Sequence, residues 1–227
     1  MRSPIQTTYD DLPQDLPIFP LPGAILMPWG RLPLNVFEPR YLNMTLDALK
    51  NGRIIGMIQP DLDQWAEDGA ESGEPSEPPL YKVGCAGRIA AFEETEDGRL
   101  LITLKGLIRF HVKEELEGRR GYRRIRPSYE SFRSDMNTPE KFELNREGLM
   151  SKLKAYLETQ SIPINLEIIK GLSDATLVMS LCMICPFDPR EKQALLEAAT
   201  MRARADTLLA LLQMGAFESS APEGPRQ

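Results

Sequence analysis

Apolar residues follow two different rhythms along this chain. From Leu16 to Leu42, LPIFPLPGAILMPWGRLPLNVFEPRYL, short aliphatic runs alternate with six prolines. Proline lacks an N–H and holds φ near about −65°, so these runs suit strand ends and bulges and not helix interiors. Ile18-Phe19 and Ile25-Leu26-Met27 read as short bent strands. Leu32, Leu34 and Val36 then alternate with Pro33, Asn35 and Phe37 at a period of two. Pro39 suits the first turn of a helix capped by Glu38, with Leu42, Leu46 and Leu49 at helical spacing and Asn51-Gly52 as its end.

The strand rhythm continues through Arg53–Gln59, Tyr81–Phe92, Leu100–Leu104, Leu107–Val112 and Arg119–Tyr129, with turns predicted at Asp97-Gly98 and Lys105-Gly106. Between the first two of these lies an acidic stretch, residues 60–79, rich in Pro, Gly and Ser and without an apolar period. It is predicted to be a flexible surface loop. Trp65 is its one large apolar residue, expected either to dock on the strands or to belong to a mobile lid. Six or seven short strands with one inserted helix suit a small barrel.

From Asp135 onward the period becomes helical. Thr138-Pro139 opens a segment with Phe142, Leu149, Leu153, Tyr156 and Leu157 on one face. Ser173 caps a second helix, with Leu177, Leu181 and Ile184 as its stripe and Pro186 as its stop. Asp188-Pro189-Arg190-Glu191 is a capping box, and Thr200 caps a fourth helix whose Met201, Ala205, Leu208 and Leu212 share a face until Gly215. The fold class is therefore α+β: a barrel over residues 1–134, a four-helix subdomain over 135–217 and a polar tail over 218–227.

Composition narrows the function classes. The 227 residues, 42% hydrophobic and 26% charged, describe an ordinary globular chain. A net charge of −6 argues against a general polyanion binder, because nucleic-acid affinity rests on neutralised phosphates. The N-terminus shows no apolar signal region, and the longest apolar run, Leu177–Ile184, is far short of a membrane span. Three cysteines do not suggest a disulfide framework. A cytoplasmic location without membrane contact is the expectation.

The Leu16–Leu42 stretch resembles the N-terminal substrate-binding domain of Lon proteases and the stand-alone bacterial proteins built from that domain. Further matching pieces follow in order: Gly84-Cys85-Ala86-Gly87-Arg88-Ile89, Asp97-Gly98-Arg99, Lys105-Gly106-Leu107-Ile108-Arg109-Phe110, and Pro186-Phe187 with Glu191–Glu197. The resemblance spans about Leu16 to Met214. It implies a PUA-like β-barrel followed by a helical subdomain, used for binding and not for chemistry.

No catalytic constellation accompanies it. A phosphate-cradling loop of the G-x-x-x-x-G-K-[ST] type needs Gly followed by Lys, and no Gly-Lys dipeptide occurs. The ATPase and Ser-Lys protease portions of the Lon family are missing, so no enzyme activity and no cofactor is expected. His111, the only histidine, is read as a satisfied strand residue, with no nucleophile elbow near it. Cys182-Met183-Ile184-Cys185 falls at a helix C-terminus, where the dipole disfavours thiolate, and is read as buried core with no metal role. The run Arg119–Arg126 holds five arginines, but strand alternation splits them between two faces, and Glu114, Glu115 and Glu117 stand ready to pair with them.

Met27, Trp29, Phe37, Arg40, Tyr41 and Trp65 are the candidate ligand-binding residues. Arg40 and Tyr41 have a competing reading as rim and capping contacts. Met27, Trp29, Trp65 and Phe132 stand out as apolar residues beyond core needs. The leading expectation is a module that binds unfolded or extended polypeptide, by strand addition or in a groove between barrel and helices. A protease or chaperone is the further partner it suggests. The alternatives are an RNA-binding PUA-like module reading through Arg119, Arg123 and Arg126, and a hydrolase with convergent carboxylates such as Glu38 and Asp61.

Overall fold

The computed structural model describes residues 7–72, 77–138, 142–162 and 171–218. The chain divides into two compact units, Met1–Thr138 and Pro139–Gln227. Asp135, placed with the helices by composition, belongs to the first unit, where it is ion-paired with Arg109.

Six described strands build the first unit: β1 Leu16–Pro20, β2 Arg31–Val36, β3 Ile54–Ile58, β4 Val83–Glu94, β5 Leu100–Arg119 and β6 Tyr122–Ser128. They lie in the order β2-β5-β4-β3-β1-β6, and a further pairing of β5 with β6 closes five of them into a ring. Only β1 and β3 run parallel; the other pairs are antiparallel. Closure depends on the length of β5. Residues up to His111 pair with β4, and those beyond pair with β6 across a register shift. The shift bends the strand, which lets one element serve two partners.

Lys105-Gly106 is not a turn. Strand β5 runs straight through it, with a register shift against β4 between Ala86 and Gly87. Glycine is required there by close approach: a Cβ on Gly106 would lie 1.9 Å from the Met27 carbonyl oxygen. Ile25-Leu26-Met27 is likewise not a strand. Its side chains are fully buried while its backbone forms no ladder, so apolar content alone misassigns it.

Helix α1, Pro39–Lys50, starts where the proline placed it. Its buried face is Tyr41, Met44, Thr45 and Ala48, not the leucine stripe, and Leu46 is exposed. Both stripes have helical spacing, and packing selected the one bearing the aromatic ring. Thr45 is tolerated there because its hydroxyl donates to the Tyr41 carbonyl at 2.8 Å. Glu38 occupies the cap position, but its side chain makes no capping bond and instead pairs with Arg40 at 2.9 Å.

The acidic 60–79 stretch contains a helix, α2, Leu62–Ser72. The Asp61 carboxylate accepts from the Gln64 N–H at 3.1 Å, a local cap that opposes the loop expected from composition. Trp65 stands on this helix, 40% exposed to solvent.

The second unit contains four described helices: α3 Arg146–Thr159, α4 Asp174–Ile184, α5 Pro189–Glu197 and α6 Met201–Glu218. Helix α3 begins at Arg146 with Asn145 accepting from Gly148, not at the Thr138-Pro139 step; Pro139 lies outside the described residues. Leu177 and Leu181 are buried as expected, but Ile184 is exposed. Helix α6 continues past Gly215, whose missing Cβ makes room for the Tyr156 ring of α3. That glycine serves packing and not termination. The tail from residue 219 also lies outside the described residues.

Ser173 and Asp188 cap as the sequence indicates, and the Asp188–Glu191 box has both reciprocal bonds, at 2.8 and 2.9 Å. Asp188→Ala is expected to destabilise the helical unit by about 1 kcal/mol. A urea titration followed by helical circular dichroism checks it, and an unchanged midpoint would refute the cap's contribution.

Candidate functional site

The candidate residues scatter over the first unit instead of converging. Met27 and Tyr41 are in the core, at 0% and 6% exposure, whereas Trp29 and Trp65 are both 40% exposed and Phe37 is 60% exposed. Tyr41 stacks on Phe19 with ring centres 4.0 Å apart, and the Arg40 guanidinium covers it at 4.7 Å. Burial pushes the Tyr41 phenol above its ordinary value, only partly opposed by Arg40. Arg40 itself reaches Glu38 and Glu77. Phe132, read as surplus, is buried between His111, 4.7 Å from its ring, and the Arg109 guanidinium at 4.5 Å.

Trp29 sits at the mouth of a cleft of about 460 Å³. Its φ of 66° is unusual for a bulky residue, and local bonds hold the conformation. Its N–H donates to the Gly106 carbonyl at 3.0 Å, and its indole Nε1 donates to the Asp135 carbonyl at 2.9 Å. The ring is therefore fixed at both ends. The same cleft is lined by Arg31, Arg53, Arg88 and Lys105, cations the sequence pattern did not single out.

A second surface runs along β2. Among the described residues, this strand pairs only with β5 and leaves its other edge open. The Gly106 N–H donates to the Gly30 carbonyl at 2.9 Å, which sets the alternation along the ladder. Leu32, Leu34 and Val36 point their backbone groups at β5, and Arg31, Pro33 and Asn35 point theirs outward. Pro33 thus falls where its missing N–H breaks no ladder bond. Strand β2 also contributes Pro33 and Leu34 to a depression of about 450 Å³ that Phe92 of β4 and Leu101 and Ile102 of β5 line with them. Phe92 is 48% exposed and Leu101 43%. Neither stood out in the sequence, because each occupies a strand position that reads as ordinary alternation.

The arginine run is largely taken up in ion pairs and hydrogen bonds. Arg123 forks onto Glu115 at 2.6 and 2.7 Å, Arg126 pairs with Glu114, and Arg124 pairs with Asp15 while donating to the Glu117 carbonyl. Arg120 and the Tyr122 hydroxyl both bond Asp47 of helix α1. Burial pushes the Asp47 carboxyl up, but Tyr122 and the flanking arginines outweigh it and hold the group below its ordinary value. These contacts fasten the β5–β6 hairpin to α1 and leave little of the run for phosphates, so an RNA-binding reading is not favoured.

Cys182 and Cys185 are buried free thiols, each pushed up to about 12 by burial, which makes them inert core residues. Among the described residues, no group of three or more His, Cys, Asp or Glu side chains is placed to hold a metal ion. No described helix is long and apolar enough to cross a membrane.

Comparison with known proteins agrees with this geometry. The family model described as the ATP-dependent protease La (LON) substrate-binding domain matches residues 15–214. Lon protease 2 of Myxococcus xanthus is 26% identical over 217 residues, covering 93% of this chain and 25% of that protein. Lon protease 2 of Sorangium cellulosum is 32% identical over 102 residues, 43% of this chain and 11% of that one. The chain thus spans about a quarter or less of these proteases. The Lon N-terminal domain protein from Xanthomonas campestris superposes with a TM-score of 0.57 at 23% identity, covering 86% of this chain and 97% of that one. The N-terminal domain of the Mycobacterium avium complex Lon protease gives 0.56 at 14% identity, covering 90% and 98%. At these identities the two structures speak for the fold, and the family model extends over nearly the whole length: this chain belongs to the Lon substrate-binding domain family.

Proposed function

We propose that this protein is a non-catalytic module that binds unfolded or extended polypeptide by adding it to the open edge of β2. The observation that carries this reading is the outward row of backbone groups at Arg31, Pro33 and Asn35, on the strand whose Pro33 and Leu34 also line the depression that holds the exposed Phe92 and Leu101. Backbone pairing supplies affinity without sequence preference, and apolar side chains of the guest cover the adjoining depression. Of the candidate residues, Phe37, Trp29, Trp65 and Arg40 are accessible to a guest, whereas Met27 and Tyr41 belong to the core. We place the protein in the cytoplasm, working alongside a protease or chaperone that acts on the bound guest.

Proline and arginine on an edge strand can also serve simply to deter aggregation. Titration with a fluorescent extended apolar peptide separates the two roles. Binding is expected, with a preference over folded proteins, and Phe92→Glu with Leu101→Glu should weaken it about 10- to 100-fold. No preference for unfolded over folded polypeptide would refute the proposal.

A further inference from the structure

The cleft beside Trp29 has a charge arrangement unlike the rest of its unit. Register places Arg31 of β2 directly opposite Lys105 of β5, and Lys105 directly opposite Arg88 of β4. Three cations therefore stand in one cross-strand row on neighbouring strands. With strands about 4.8 Å apart, the row is about 10 Å long. Arg53, just before β3, extends it, since its neighbour Ile54 is paired with Arg88. Like charges directly opposite one another destabilise a sheet, so such a row needs compensation.

Elsewhere in this unit compensation comes from carboxylates: Arg109 has Asp135, Arg120 has Asp47, Arg123 has Glu115 and Arg124 has Asp15. Here, among the described residues, none lines the cleft. Among the described residues, Arg31, Arg53 and Lys105 form no ion pair, and Arg88 donates to the Thr7 hydroxyl at 3.4 Å. In a chain of net charge −6, three cations without ion pairs among the described residues, Arg31, Arg53 and Lys105, line a single concavity together with Arg88.

We infer that this cleft binds a nucleotide, with its phosphates along the Arg31–Lys105–Arg88 row and its base against the Trp29 ring. The row is long enough for consecutive phosphate groups, which Arg and Lys engage by charge-assisted hydrogen bonds. Trp29 is 40% exposed and held at its backbone and its indole N–H, and the Lys105 ammonium lies over its ring, 5.6 Å from the centre, so ring and cation present a base-stacking surface and a phosphate contact together. A volume of about 460 Å³ lies in the range of small-ligand sites. A polymer is disfavoured, because beyond the cleft it would meet a net acidic molecule.

The test uses the full chain carrying Trp65→Phe, which leaves Trp29 as its single tryptophan. ATP, ADP, inorganic tripolyphosphate and a short single-stranded DNA are titrated against Trp29 fluorescence and by calorimetry. Saturable quenching by ATP is expected, tighter than for tripolyphosphate and weakening as salt rises. Arg31→Ala and Lys105→Ala should each weaken it about tenfold, while their melting temperatures stay level or rise because repulsion is relieved. The inference is overturned by absence of binding up to about 10 mM nucleotide. Equal affinity for tripolyphosphate, tighter binding of DNA than of ATP, or a lowered melting temperature in the alanine variants would overturn it too.

Discussion

Arg109→Ala is expected to lower the stability of the strand unit by about 3–5 kcal/mol, the loss typical when one partner of a buried ion pair is removed. The side chains of Arg109 and Asp135 are only 6% and 10% exposed. The carboxylate accepts two guanidinium bonds at 2.9 Å and the Arg109 backbone N–H at 3.1 Å. Truncating the arginine strands a buried negative charge and uncovers the Phe132 ring. Because the Asp135 carbonyl also holds the Trp29 indole, the damage should spread to the cleft. Thermal and urea unfolding measure the loss, and Trp29 fluorescence reports the spread. Arg109→Met combined with Asp135→Asn should be milder than Arg109→Ala, since it removes the charge and keeps an acceptor for the backbone N–H. A loss under about 1 kcal/mol for Arg109→Ala would show that water or another partner neutralises the site.

Gly106→Ala is the second large effect, expected at about 3 kcal/mol or more. A single methyl would stand 1.9 Å from the Met27 carbonyl oxygen and 2.8 Å from its carbon. These are backbone atoms, which cannot swing aside as a side-chain end would. Relief requires parting the two segments, which breaks the Trp29-to-Gly106 and Gly106-to-Gly30 bonds together. The variant should show a red-shifted Trp29 emission and a lowered melting temperature. Wild-type melting behaviour would mean that Met27 and Gly106 are not in close contact in solution.

Both effects arise where distant segments meet, and there the reading from sequence was weakest. Arg109 and Asp135 are 26 residues apart. Nothing local to either marks the pair, and Asp135 looked like the start of the helical half. The Lys105-Gly106 step carries a turn signal in isolation, yet what requires the glycine is the Met27 carbonyl pressed against it. The cation row is invisible along the chain, because Arg31, Arg88 and Lys105 become neighbours only through strand register.

What the sequence determined by itself concerns steps of a few residues. Pro39 at the head of α1, the serine cap at 173, the Asp188–Glu191 box and the turn at Asp97-Gly98 are set by bonds reaching no further than about four positions. Period and composition then sufficed for the α+β class, and the ordered motifs for the family. Tertiary structure decided which helical face is buried, as with Tyr41 and Met44 over Leu46. It also decided that β5 serves two partners to close the ring, that one edge of β2 stays open, and that four cations line one cleft. Each is a choice among arrangements of comparable local energy, so the free energy that separates them comes from packing and electrostatics between residues far apart in the chain.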